Sequence, residues 1–146
     1  MTRRAFLTSV AALAAGRPLR LVAQDLQRTA VVVTRDDLNS MISALNFAVE
    51  LSRYNRVRDT PVDIRIIAHG PGLRIFREDT SPVLSRLKFT LRSMPDISLV
   101  ACAATAADFQ RTEGDAPPIL SQARSVPVAA DTVEEMRADG WTIVEF

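Results

Sequence analysis

From Arg28 onward, short apolar runs alternate with longer amphipathic ones. That alternation predicts βα repeats around a mainly parallel sheet. Thr29–Val33 reads as a first strand, continuously apolar because both of its faces are covered. Thr34 and Asp37 have the spacing of a capping box. Leu38, Met41, Ile42, Leu45, Ala48 and Val49 then recur at the helical period and predict a helix from Asp36 to Tyr54. Phe47, Leu51 and Tyr54 form a second apolar stripe on that helix, expected to meet a partner or a neighbouring helix. Val62–Ala68 alternates and then turns fully apolar, as in a strand entering the core from an exposed end.

The pattern continues through the second half. Thr80-Ser81-Pro82 predicts the start of a second helix, with Val83, Leu84, Leu87, Leu91 and Met94 as its buried stripe and Pro95 as its stop. Ile97–Ala101 is the third strand and leads into Cys102, followed by a short helix over Ala103–Phe109. Gln110–Leu120, with Pro117-Pro118, is the longest stretch without apolar periodicity and is expected to be a lid or a surface insertion. Ser125–Val128 reads as a strand whose Pro127 suits a beginning or a sheet edge. Asp131 and Glu134 are spaced to cap a last helix bearing Val133 and Met136, which Asp139-Gly140 closes. Trp141–Phe146 is the final strand. Five strands and four helices predict one three-layer α/β/α domain over residues 28–146.

Composition narrows the function classes. With 47% hydrophobic and 24% charged residues in a chain of 146, a single core of ordinary globular type is expected. All but one of the 18 basic residues are arginine, and they are scattered among carboxylates. No basic stripe with interleaved aromatics stands out, so nucleic acid is not an expected partner.

The first residues differ in kind. Arg3-Arg4 precedes an uncharged, alanine-rich run from Phe6 to Gly16, which is the layout of a secretory signal. Thr2-Arg3-Arg4-Ala5-Phe6-Leu7 is similar to the twin-arginine export signal. An export signal peptide over residues 1–23 is expected, with cleavage after Ala14 or near Ala23, and with it a periplasmic or exported mature domain. The apolar run is too short to span a bilayer, so no stable membrane span is expected after processing. Removing residues 1–23 takes four of the 18 basic residues and leaves 14 against 17 acidic ones, a net charge near −3.

Two positions carry candidate chemistry. Cys102, the one cysteine, lies at the end of a strand and the start of a helix, where helix amides favour a thiolate. An exported chain with one cysteine has no internal disulfide available to it. His69, the one histidine, stands at another strand end in the turn His69-Gly70-Pro71-Gly72, whose glycines permit a close backbone approach. In a parallel sheet both residues fall at the same edge, where a histidine lowers the pKa of a neighbouring thiol. The rival reading is a buried, inert cysteine in a noncatalytic binding or scaffold protein. One cysteine and one histidine do not supply a tetrahedral metal site, and neither a dinucleotide fingerprint nor a phosphate loop is present. No metal or cofactor is therefore expected.

Ile66-Ile67-Ala68-His69-Gly70-Pro71-Gly72-Leu73, Val100-Ala101-Cys102-Ala103-Ala104-Thr105, Val126-Pro127-Val128 and Gly140-Trp141-Thr142, in that order, resemble the DsrE/DsrF-like family of sulfur-relay proteins. The resemblance covers residues 29–146. It implies an α/β/α fold resembling flavodoxin, assembly as a homotrimer or homohexamer, and sulfur carried as a persulfide on a cysteine, exchanged with a sulfur donor or acceptor protein. By the match, Cys102 is the sulfur-carrying position, and His69, Gly70, Gly72 and Thr105 line the site. The family often has Asn where this chain has Ala104.

Overall fold

The computed structural model describes residues 25–146. The expected signal peptide lies outside those residues. Five strands, β1 (Gln27–Val33), β2 (Val62–Ala68), β3 (Ile97–Cys102), β4 (Ala123–Val126) and β5 (Thr142–Glu145), form one sheet in the order β4-β3-β2-β1-β5. Every pairing is parallel. Four α-helices connect them: α1 (Leu38–Val57), α2 (Leu84–Ser93), α3 (Ala103–Glu113) and α4 (Ala129–Ala138). A 3-10 helix over Gly70–Phe76 follows β2.

The strand order fixes the layers. From β1 to β4 the chain steps in one direction, and right-handed crossovers place α1, α2 and α3 on one face. From β4 it returns across the sheet to the far side of β1, so α4 takes the opposite face. Two cores result. The larger packs α1, the 3-10 helix, Val83, Leu87 and Phe109 over Val31, Val33, Ile64, Ile66, Leu99 and Ala101. The smaller packs Ala129, Val133 and Met136 of α4, with Trp141, over Ala30, Val32, Ile67, Val100 and Cys102. The expected three-layer α/β/α domain with a parallel five-stranded sheet is what the chain forms.

Local differences have local causes. α1 is capped by Asp37, whose carboxylate accepts from Ser40 N–H at 2.9 Å and from Ser40 Oγ at 2.7 Å. Thr34 instead follows β1, donating through its N–H to Phe146 O at 3.0 Å. α4 begins at Ala129, so Asp131 falls within its first turn, where a carboxylate suits the positive end of the helix dipole. β4 lies two residues earlier than predicted because its register is set by β3, pairing Leu99 with Ala123 and Cys102 with Val126. α3 runs on to Glu113, and the segment after it is tied down by Leu120 N–H to Phe76 O at 3.0 Å and Glu78 N–H to Pro118 O at 2.8 Å. Pro117 and Leu120 are buried, so the end of the segment is anchored to the core, while residues 110–116 stay exposed on the surface.

Of the second stripe on α1, Phe47 stacks on Phe146 with ring centroids 5.8 Å apart, and Leu51 packs against the larger core. Tyr54 alone stays exposed, with the Arg58 guanidinium 4.9 Å from its ring centroid.

Candidate functional site

Ligands of open α/β sheets collect where successive strands send their chains to opposite faces. Here that point lies between β3, which leads into α3, and β4, which leads into α4. Cys102 occupies it. As the last residue of β3 it also stands at the N-cap of α3, while its sulfur faces the α4 core.

The N-termini of both helices therefore converge on one thiol. The Ala129 N–H, first in α4, donates to Cys102 Sγ at 3.4 Å. Burial pushes the thiol's pKa up, but the Thr105 hydroxyl and the N–H groups of Ala129, Thr105 and Ala104 favour the thiolate more, and the pKa falls below its ordinary value of 9.0. The Ala104 N–H contributes least of these and also donates to Pro127 O at 3.1 Å. Cys102 as a residue is 4% exposed, with Val126 paired beside it and the Ala129 N–H on its sulfur.

Thr105 joins the cysteine to the glycine turn. Its Oγ1 accepts from the Gly70 N–H at 2.9 Å, which frees the hydroxyl proton to turn toward the sulfur. Gly70 makes that contact at a φ of +56°, a backbone conformation glycine adopts without penalty. Gly72 has a different task. A Cβ there would lie 2.2 Å from Val33 O, so the close approach is to the end of β1, not to open space at the sheet edge.

His69 lies one residue past Ala68, and Ala68 pairs with Ala101, so His69 stands level with Cys102 on the neighbouring strand. Its backbone is extended, with φ −148° and ψ 169°, and its N–H donates to Val33 O at 3.2 Å. Among the described residues its ring makes no hydrogen bond to the thiol. The structure thus brings together Cys102, Thr105 and Gly70 directly, holds His69 alongside, and sets Gly72 against β1. No local sequence signal marks Ala129, since its bond to Sγ spans 27 residues and depends on the strand order.

Among the described residues, no cluster of three or more His, Cys, Asp or Glu side chains could hold a metal ion, and no helix is long and apolar enough to cross a membrane.

No family model and no curated protein matches the chain. Among solved structures it is similar to the protein of unknown function MTH1491 from Methanobacterium thermoautotrophicum. Identity is 17% and the TM-score 0.64, with 82% of this chain and 99% of that chain covered. At that identity the likeness establishes the fold alone, and the chain is an α/β/α protein of that shape.

Proposed function

We propose that this chain is an exported DsrE/DsrF-like protein that carries or transfers sulfane sulfur as a persulfide on Cys102. One observation carries the reading: Cys102 Sγ sits at the meeting of two helix N-termini, with the Ala129 N–H donating to it at 3.4 Å. Such a field stabilises a thiolate, and it stabilises the persulfide anion that replaces it in the same way.

The chemistry is an exchange between sulfurs. The Cys102 thiolate attacks the outer sulfur of a donor persulfide, R–S–SH. A new S–S bond forms to Cys102, the donor's S–S bond breaks, and its electron pair leaves with R–S⁻. An acceptor thiolate then attacks the outer sulfur on Cys102 and releases the Cys102 thiolate. No oxidant is consumed in either step. The Thr105 hydroxyl, held by Gly70, favours the anion at this sulfur, and His69 lines the same edge.

Mass spectrometry after incubation with a persulfide donor tests the reading. Wild-type protein is expected to gain about 32 Da, and Cys102→Ser protein nothing. No adduct on the wild type, or the same adduct on the variant, overturns it. Export through the twin-arginine route is part of the proposal, and replacing Arg3 and Arg4 by lysine is expected to retain the protein inside the cell.

A second reading rests on the 4% exposure of Cys102. In it the thiol is an inert core residue of a noncatalytic binding or scaffold protein. Titration with a small uncharged thiol reagent separates the two, because an inert thiol reacts only after denaturation.

A further inference from the structure

The wall that covers Cys102 is also one side of a cleft. Val126, which pairs with Cys102 across the sheet, and Pro127-Val128, which lead to the Ala129 N–H, line a depression of about 340 Å³ together with Arg124, Asp131 and Glu135. That volume lies at the small end of the range for small-molecule sites, roughly 300–1,000 Å³.

Its charges are arranged by the fold. Arg124 pairs with Val100 in parallel register, and Val100 faces α4, so the Arg124 side chain stands on the α4 side of the sheet. Asp131 and Glu135 are four residues apart on α4 and share one helix face. Among the described residues none of the three has an ion-pair partner. The cleft therefore offers one guanidinium and two carboxylates without ion-pair partners among the described residues, and Cys102, whose proposed task is to receive sulfur, lies behind its Val126–Ala129 wall.

We infer that this cleft binds the head group of a small zwitterionic aminothiol compound of the amino-acid type, its carboxylate on Arg124 and its ammonium between Asp131 and Glu135. The identity of that compound as a persulfide donor rests on the sulfur-carrier reading. Head-group recognition does not.

Binding is measured first on Cys102→Ser protein, in which no sulfur transfer takes place. Titration with S-methyl-L-cysteine, followed by amide NMR, is expected to shift the Arg124–Glu135 resonances. Analogues lacking the ammonium or the carboxylate, and the variants Arg124→Ala and Asp131→Asn/Glu135→Gln, are expected to bind about tenfold more weakly. The substituted side chains are solvent-exposed, and an unchanged amide spectrum elsewhere establishes that the variants are folded. Equal binding of all three compounds, or shifts away from the cleft, overturns the inference. Loading of wild-type Cys102 is then compared between L-cysteine persulfide and inorganic hydrogen disulfide. Head-group binding without loading by either donor leaves the cleft assignment standing and defeats the sulfur-carrier reading. Equal loading by both donors, with no head-group binding, does the reverse.

Discussion

Thr105 is the residue on which the character of the thiol turns. Its hydroxyl accepts from Gly70 N–H at 2.9 Å and favours the thiolate more than any other single group around Cys102. Thr105→Val removes both roles while keeping the shape of the side chain. Burial is then opposed by backbone N–H groups alone, so the pKa of Cys102 rises. The midpoint of alkylation rate against pH is expected to move to higher pH, and the rate near neutrality to fall about tenfold, in keeping with one lost hydrogen bond to a charged acceptor. Thr105→Ser restores the hydroxyl and is expected to restore the profile. An unchanged profile in Thr105→Val assigns the lowered pKa to the helix termini instead.

At the scale of elements, the frame around the site is held by two contacts between segments distant in sequence. The first is Gly72 against β1. Gly72→Ala places a Cβ 2.2 Å from Val33 O and 2.8 Å from Thr34 N, both backbone atoms with no room to yield. A loss of about 2–4 kcal/mol in urea unfolding is expected. The second is the buried Arg77, which bonds Asp79 at 2.8 Å and Glu113 at 2.8 Å through Nη2 and packs over the Phe109 ring, tying the C-terminal end of α3 to the turn before α2. The guanidinium holds both carboxyls below their ordinary values of 3.8 and 4.5. Groups with depressed pKa values contribute their stability above the unfolded values and lose it as pH falls through the folded ones. Wild-type protein is therefore expected to be more thermostable than Arg77→Met above about pH 4.5, with the two melting curves converging as the pH is lowered further. Parallel curves across that range count against the clamp. These contacts also mark what the sequence conveyed. Apolar periodicity and cap signals place the four α-helices and every strand but β4, and the 3-10 helix is left unassigned because Leu73–Phe76 is a short apolar run that suits several structures. β4 was displaced because an edge strand bearing Arg124 and Ser125 has no alternation to read, and its bounds come from its neighbour.

For the whole molecule, the strand order is what turns separate strand ends into a site. Cys102 was legible because any βα repeat places a strand-end residue at one edge of the sheet. The Ala129 contact was not, since it requires the chain to reverse after β4 and bring α4 to the other face. Among the described residues that reversal also leaves one face covered by α4 alone, while the three-helix face keeps large apolar side chains in solvent. Tyr54 is 58% exposed, Val57 88% and Phe89 63%. Phe47 and Leu51 are used inside the chain, so a self-association surface on α1 would have to be built from its C-terminal end. The proposed homotrimer or homohexamer thus predicts two linked results. Light scattering of the mature domain at micromolar concentration is expected to give three or six times the chain mass. The pair Tyr54→Ser and Val57→Ser is expected to shift that mass toward one chain while leaving the far-ultraviolet circular dichroism unchanged, because neither side chain contributes to a core. A wild-type mass of one chain defeats the assembly. A multimer indifferent to both substitutions moves its interface away from α1, to the sheet face that α4 leaves open.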